Sequence, residues 1–261
     1  MVGHFENQSI NTYARFQAEE STTMEPNRIA IFAKISAYTY QDPDQATPNF
    51  AELGYKTIKF FNHKGAQAYL LANDLERVLT FRGTEVTQPS DVLADLEAAM
   101  DPSESGGRVH QGFKGELDKL WNSIVEELNK ENKTLYITGH SLGAAMATLA
   151  TSRLQHKTAT LVTFGSPRVG NKEFVDTLLT AHYRVQNNND DVTKVPFLLM
   201  GYRHHGTNVY LNYYGFIREL THWQKIKDML RSRWFGIRAG EWFKGVSDHS
   251  ISKYVSKLEK L

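Results

Sequence analysis

The stretch that decides the fold runs from Thr134 to Ala150 and reads TLYITGHSLGAAMATLA. Its first part, TLYIT, is predicted as a buried strand, and the residues after Ser141 are predicted as a helix that begins with small side chains. Between them lies GHSLG, residues 139–143, a G-x-S-x-G pattern that places serine on a tight turn from strand to helix. The start of that helix directs N–H groups and a positive dipole end at the serine. We therefore predict Ser141 as a nucleophile, with an inert serine at a glycine-flanked strand exit as the alternative.

The elements around this turn predict an α/β fold. Upstream, residues 55–83 alternate in strand fashion in three segments separated by turn residues, which indicates an antiparallel meander. After Gly83 we predict helices near 90–100 and 112–132, and then strands at 134–139, 159–165 and 182–187 with helices between them. Strands that alternate with helices indicate parallel β-α-β units. Further helices are predicted after Pro26, over 216–238, and over the closing ISKYVSKLEK.

Composition bounds the class of protein. The chain has 261 residues, of which 41% are hydrophobic, and a formal net charge of +1. These values predict one sizeable core, here assigned to a single domain over 1–261 with a loosely packed arm at 1–26. The small net charge gives no reason to expect a nucleic-acid partner. Without cysteine, disulfides, thiolate metal sites and a cysteine nucleophile are excluded.

The sequence gives no sign of a membrane span or a leader. No stretch approaches the roughly 18 consecutive apolar residues that a spanning helix needs. The first ten residues, MVGHFENQSI, have neither the basic patch nor the apolar run of a secretory signal. A cytoplasmic protein and the mature form of a secreted one both fit this pattern, and the oligomeric state stays open.

Several separate motifs resemble those of the class 3 lipases, the family of the fungal triacylglycerol lipases. The matching stretches, in the family's order over about residues 80–255, are FRGT at 81–84, VHQGF at 109–113, GHSLGAAMA at 139–147, FGSPRVGN at 164–171, NNNDDVTKVP at 187–196 and SDHSISKY at 247–254. The resemblance implies an α/β-hydrolase with a central, mostly parallel sheet, antiparallel N-terminal strands, helices on both faces and a short lid helix. In one departure Thr193 stands where the family's D-x-V-P segment has proline.

A nucleophilic serine needs a histidine base, and the chain order of α/β-hydrolases narrows the choice. Serine, acid and histidine follow one another in that order, which leaves His204, His205, His222 and His249. The paired His204 and His205 are predicted in a strand or hairpin as surface residues, and His222 precedes a helix. We predict His249, in a polar loop before the final helix, as the base.

The acid and the oxyanion donors complete the predicted site. Asp190 and Asp191 both follow the strand at 182–187, where such folds place site residues, and the resemblance favours Asp190. One oxyanion donor is the N–H of Leu142, next after the nucleophile. Thr84, after the strand ending in FRG, is the predicted second donor. The resemblance adds its hydroxyl and assigns Asp95 to orient it, with an ordinary surface carboxylate as the alternative.

Two segments are candidates for contact with lipid. Residues 86–101 form a candidate lid, in which Ser90 would cap a helix and Val92, Leu93, Leu96 and Met100 would share an apolar side. Residues 222–245 interleave basic residues with Trp234, Phe235, Trp242 and Phe243, as in helices that lie on anionic membranes. For each segment the alternative is a helix packed on the core. In residues 222–245 the apolar stripe of that helix would be Trp223, Ile226, Leu230, Trp234 and Ile237.

Together these patterns predict a serine hydrolase that cleaves lipid carboxylic esters, of the triacylglycerol lipase type. The alternatives are a phospholipase A1 or short-chain esterase on the same residues, and a lipase-like interaction protein without turnover. A serine peptidase has no supporting sequence feature. No Rossmann glycine pattern, P-loop or zinc spacing is present, so no cofactor and no metal are expected, and His110 is predicted to be structural.

Overall fold

A seven-stranded mixed sheet forms the centre of the computed structural model, which describes residues 24–83, 99–238 and 247–261. Its strands, in the spatial order β1-β2-β3-β6-β7-β9-β11, are β1 (Lys56–His63), β2 (Ala66–Ala72), β3 (Glu76–Phe81), β6 (Thr134–His140), β7 (Thr158–Phe164), β9 (Ala181–Asn187) and β11 (Thr207–Leu211). The first three pair antiparallel, and the strands from β3 to β11 pair in parallel. The predicted meander and the predicted parallel units are therefore confirmed.

Helices cover both faces of this sheet, as predicted. They are α1 (Pro26–Tyr38), α2 (Pro43–Glu52), α3 (Gln111–Leu128), α4 (Leu142–Leu154), α5 (Lys172–Asp176), α6 (His222–Arg238) and α7 (Ile251–Leu258). His110 caps the start of helix α3. Its ring Nδ1 accepts hydrogen bonds from the N–H groups of Gly112 (3.1 Å) and Phe113 (3.3 Å). His110 thus has the structural role predicted for it, because it satisfies N–H groups that a helix start leaves unpaired.

The core consists of two layers, one on each side of the sheet. One layer packs α3 and α4 against strand residues such as Leu70, Leu79, Ile137 and Leu161. The other packs α1, α2 and α7 against residues of the opposite strand faces, such as Tyr69, Val78, Val162 and Val185. Because successive side chains of a strand point to opposite faces, the buried strands of the sheet supply both layers. The carboxyl ends of β6 and β9 are held rigidly between these layers.

A second, four-stranded antiparallel sheet was not predicted. Its strands, in the order β10-β8-β5-β4, are β10 (Tyr202–Arg203), β8 (Gly170–Asn171), β5 (Arg108–His110) and β4 (Met100–Pro102). Strands of two or three residues carry too little alternation to be recognised in a sequence. Met100 was predicted on the apolar side of the lid helix, and this was wrong, because its backbone pairs with His110 in β4 and β5. The rest of the candidate lid, residues 86–98, lies outside the described residues.

Helix α6 buries polar side chains and exposes apolar ones, which is the reverse of a helix packed on the core by its apolar stripe. Its buried side chains are polar, namely Asp228 and Ser232, whereas Trp223 is 73% exposed, Leu230 61% and Trp234 60%. The Asp228 carboxylate accepts hydrogen bonds from Asn188 Nδ2 (2.6 Å), the Tyr210 hydroxyl (3.1 Å) and the N–H of Tyr213 (3.0 Å). An inward apolar stripe on this helix was therefore a wrong expectation. Within the described ranges, no helix is both long and apolar enough to cross a membrane.

Candidate active site

Ser141 occupies a sharp turn between β6 and α4. Its φ is 58° and its ψ is −126°, a conformation that residues other than glycine seldom adopt. The flanking glycines are required by close approach of the backbone. A Cβ on Gly139 would lie 2.4 Å from the carbonyl oxygen of Gly143, and a Cβ on Gly143 would lie 2.2 Å from that of Phe81. The G-x-S-x-G pattern thus allows the turn to sit tightly between α4 and strand β3.

The structure brings Ser141, His249 and Asp190 into one hydrogen-bonded chain. His249 Nε2 lies 2.8 Å from Ser141 Oγ, and His249 Nδ1 lies 3.0 Å and 2.9 Å from the two carboxylate oxygens of Asp190. All three side chains are buried. With the proton on Nδ1, the ring donates to the carboxylate and its Nε2 accepts from the serine hydroxyl.

Asp190 stays ionised in a buried position because several donors face it. Burial alone would raise its pKa, but the adjacent His249, the hydrogen bonds from His249 and Tyr254, and the nearby His140 hold the pKa below its usual value. The N–H of Val192 donates to Asp190 Oδ1 (3.0 Å), and the Tyr254 hydroxyl donates to Oδ2. The Tyr254 oxygen in turn accepts from the N–H of Asn187 (3.1 Å). Tyr254, which the sequence reasoning did not identify, thus ties α7 to the carboxylate.

A second histidine, His140, supports the loop that carries His249. Its ring lies 4.5 Å from the His249 ring, centroid to centroid. Burial and the neighbouring His249 lower the pKa of His140 to about 3, so the ring is neutral. Nε2–H donates to the backbone carbonyl of His249 (2.7 Å), and Nδ1 accepts from the Tyr40 hydroxyl (2.8 Å). His140, the residue before Ser141 in the G-x-S-x-G pattern, therefore fixes the backbone of His249 through this hydrogen bond.

The other predicted residues fall into three groups. Leu142 is the first residue of α4, so its N–H has no acceptor within the helix and points towards the turn. Thr84 and Asp95 lie outside the described residues, as does the side chain of His222. Asp191 forms an ion pair with Lys194 (2.6 Å) at a half-exposed position, apart from the histidine.

His204 and His205 are not the surface residues that the sequence predicted. Both are half-buried, and His204 Nε2 donates to the carbonyl of Thr193 (2.7 Å). His205 Nδ1 lies 3.2 Å from Nδ1 of the buried His182. A pair of histidines in a polar segment is typical of an exposed position. Only the tertiary fold shows that the residues just before β11 are half-buried.

Gly165 is a further residue whose role the sequence did not reveal. It follows β7 with a φ of +56°, and its N–H donates to the carbonyl of Val185 (3.1 Å). A Cβ at this position would lie 2.8 Å from Asp190 Oδ2 and 2.9 Å from both Cε1 and Nδ1 of His249. The glycine therefore leaves the space in which the carboxylate and the imidazole meet.

This arrangement has the chemical capacity for acyl transfer. A hydroxyl hydrogen-bonded to a neutral imidazole can be deprotonated as it attacks a carbonyl carbon, and a buried carboxylate stabilises the imidazolium that forms. The N-terminus of α4 supplies N–H groups beside the oxygen on which negative charge develops.

Comparisons with known proteins agree with this geometry. Residues 78–200 match the model of the family described as lipase (class 3). The chain is 38% identical over 137 residues to secreted mono- and diacylglycerol lipase A of Penicillium cyclopium (49% of this chain, 45% of the relative). It is 35% identical over 154 residues to the chloroplastic phospholipase A(1) DAD1 of Arabidopsis thaliana (47% of this chain, 34% of the relative). These matches span less than half the length of the curated relatives.

A solved structure extends the likeness to the fold. Lipase II from Rhizopus niveus superimposes with a TM-score of 0.63 at 25% identity, over 71% of this chain and 80% of that one. The family match runs from β3 through the serine turn to the loop of Asp190, and the shared fold covers most of both chains. The chain is therefore similar to the class 3 lipases in sequence over residues 78–200 and in fold.

Proposed function

We propose that this protein is a serine hydrolase that cleaves the carboxylic esters of lipids through an acyl-enzyme on Ser141. The observation that carries the proposal is the chain of hydrogen bonds from Ser141 Oγ through His249 to Asp190, set at a strained turn ahead of helix α4. The match of residues 78–200 to the class 3 lipase model supports esters of lipids as the substrate class. The proposed catalytic residues are Ser141, Asp190 and His249.

The proposed reaction has two stages. In the first, Ser141 Oγ attacks the ester carbonyl while His249 Nε2 takes the hydroxyl proton, and the same proton then passes to the departing alcohol. In the second, His249 takes a proton from water, which attacks the acyl-enzyme and releases the fatty acid. Asp190 keeps the proton of the neutral ring on Nδ1 and stabilises the ring when it becomes charged.

Two backbone donors are proposed to stabilise the oxyanion. The first is the N–H of Leu142, and the second is that of Thr84, whose hydroxyl is a further candidate, with Asp95 proposed to orient that hydroxyl. The described residues end beside the serine turn at Gly83, where an added Cβ would lie 2.7 Å from the carbonyl oxygen of His140. The residue before Thr84 therefore already touches the serine turn.

The test is hydrolysis of p-nitrophenyl esters from two to sixteen carbons, compared between the wild type and Ser141→Ala. We expect turnover in the wild type and a loss on the order of a millionfold in the variant. Labelling by a fluorophosphonate probe should disappear in the same variant. Equal, negligible rates in both proteins would contradict the proposal and favour a lipase-like interaction protein.

A phospholipase A1 is the second candidate, because one relative bears that name. The discriminating assay offers emulsified triacylglycerol and phospholipid at equal ester concentration. Faster release of fatty acid from triacylglycerol supports the lipase assignment, and faster release from phospholipid supports the alternative. An optimum at two to four carbons with neither lipid cleaved would identify a short-chain esterase.

We further propose that helix α6 and residues 197–200 contact the lipid surface. Phe197, Leu198, Leu199 and Met200 are four consecutive exposed apolar residues, and Leu199 is 101% exposed. Helix α6 exposes Trp223, Leu230 and Trp234 beside the basic Lys225, Lys227, Arg231 and Arg233. Large exposed apolar side chains beside cations are typical of proteins that bind anionic membranes.

Vesicle co-sedimentation tests this surface separately from catalysis. Binding of the Ser141→Ala protein should increase with the fraction of anionic lipid and fall in the combined variant Leu199→Ser, Trp234→Ser. Thr57→Ser, a change of one methyl group on the strand face of β1, serves as the matched surface control. Binding that ignores both the lipid charge and the two substitutions would contradict the assignment.

A further inference from the structure

Arg184 is a buried arginine to which the described residues supply no hydrogen-bonding or ion-pair partner. It lies in β9, where its backbone is in register with Thr163 of β7 and Asn208 of β11, and its side chain is 7% exposed. Its Nε has no hydrogen bond, and among the described residues no carboxylate forms an ion pair with it. Taking a charged group out of water is costly unless a counter-charge or several acceptors replace the lost hydration.

The surroundings of Arg184 are cationic rather than acidic. Arg168 lies close enough, together with burial, to lower the pKa of Arg184 to about 10, so the guanidinium remains charged at neutral pH. Burial likewise lowers the pKa of Arg168, and the charge of the nearby Arg203 lowers it further. The groups that feel the charge of Arg184 are His182, His204, His205 and Lys225, and burial lowers the pKa of each. The charges of Arg184, Arg168 and Arg203 therefore oppose one another, while His182 and His204 remain neutral.

Another buried arginine shows how this fold satisfies a guanidinium when it acts as a structural support. Arg77 is also almost completely buried, and it donates to the carbonyl oxygens of Leu128 (3.1 Å), Glu131 (2.7 Å) and Glu127 (3.0 Å). The Nε of each arginine has no hydrogen bond, but only Arg77 has carbonyl acceptors for its Nη groups among the described residues. The two arginines thus share burial and differ in whether the protein itself supplies their partners.

A small cavity lies against Arg184. Its lining includes the basic or imidazole side chains of Arg184, Arg203, His182, His204 and His205, the hydroxyl residues Thr148 and Ser166, and several apolar side chains. The volume open to the centre of a water molecule is about 10 Å³, which is room for about one water-sized particle. We propose that this cavity is a binding site for one small inorganic monoanion, of the size and charge of chloride, with Arg184 as its principal ligand.

Such an ion would join segments that converge beside the site. Arg184 belongs to β9, which leads to Asp190, and His204 donates to the carbonyl of Thr193 just after Asp190. Arg168 donates to the carbonyls of Lys194 and Pro196 (2.8 Å for the latter). A bound anion would offset the repulsion among these cations and so stabilise the loop that holds Asp190. The inference does not depend on the proposed ester hydrolysis.

The first test is thermal unfolding in mixtures of sodium chloride and sodium gluconate at constant ionic strength. We expect Tm to rise by roughly 3–5 °C for each tenfold increase of chloride above its dissociation constant. Arg184→Met, which replaces the guanidinium by an unbranched apolar side chain, should abolish this rise. Arg77→Met is the matched control: its Tm should be lower throughout, with the chloride dependence intact. A wild-type Tm that ignores chloride, or an unchanged dependence in Arg184→Met, overturns the proposal.

The second test does not require the variant to fold. Crystals of the wild type grown in sodium bromide should show an anomalous peak in this cavity, within contact distance of the Arg184 guanidinium. A peak there supports the site. Bromide peaks confined to the molecular surface, with none in the cavity, overturn it.

Discussion

Replacing Gly165 by alanine should lower kcat, although Gly165 itself takes no part in the proposed reaction. The added Cβ would stand 2.8 Å from Asp190 Oδ2 and 2.9 Å from His249 Nδ1. Ordinary contacts of carbon begin at about 3.5 Å, so the carboxylate and the imidazole would each have to move by about 0.6 Å. Since a misplacement of about 1 Å can cost on the order of a hundredfold, we expect kcat to fall by about 10–100-fold.

The stability cost of the same substitution can be separated from its effect on rate. A left-handed conformation, here a φ of +56°, costs a residue with a Cβ about 1–2 kcal/mol. Gly54→Ala is the matched control, because Gly54 has a φ of +83° and nothing within 4 Å of an added Cβ. Gly54→Ala should therefore lose about 1–2 kcal/mol of unfolding free energy. Gly165→Ala should lose more, because its Cβ also displaces Asp190 and His249, and only Gly165→Ala should lose turnover.

The assay is steady-state hydrolysis of a soluble p-nitrophenyl ester, together with urea unfolding of each variant. The fraction of protein labelled by the fluorophosphonate probe counts the competent sites, so that a misfolded fraction is not mistaken for a slow enzyme. If Gly165→Ala kept kcat within twofold of the wild type while folded, the close packing around Asp190 and His249 would not be what sets the geometry of the site.

Two further predictions concern the acid and the neighbouring histidine. Asp190→Asn should lower kcat by about 10⁴-fold, since the amide would favour the wrong tautomer of His249, whereas Asp191→Asn should leave kcat near wild type because Asp191 pairs with Lys194; comparable losses in both would refute the assignment. The pKa of His140 is about 3 in the folded protein and 6.5 for the free side chain. Between those values the unfolded chain takes up a proton that the folded protein does not, so the free energy of unfolding should fall with decreasing pH by up to about 1.4 kcal/mol per unit. In urea unfolding, His140→Gln should remove that part of the slope, and identical slopes in the two proteins would contradict a neutral buried ring.

The sequence predicted the elements whose pattern is local. The meander, β6 and α4 each carry a continuous period, and the glycines around Ser141 mark a turn that few other residues permit. His249 and Asp190 could be selected because chain order and motif leave few candidates. The proposed roles of these residues stay predictions until the variants are measured.

What the sequence did not reveal depends on contacts between distant segments. Nothing in the motif around Gly165 shows that Asp190 and His249 will meet above it, and Tyr254 reads as one apolar position of an amphipathic helix. The inward face of α6 was misjudged because Asp228 is buried by three donors from 188–213 that no periodicity reports. Likewise, Arg184 looks like an ordinary polar residue of a strand until its neighbours on β7 and β11 are known.

The order in which the three proposed catalytic residues leave the ribosome has a consequence for the cell that makes this protein. Ser141 and Asp190 are synthesised well before His249, and the Tyr254 that steadies Asp190 comes later still, on a helix that docks against α1. A nascent chain therefore has its nucleophile long before it has a base. The proposed catalytic site is therefore incomplete in the nascent chain until α7 has been synthesised and has packed against α1.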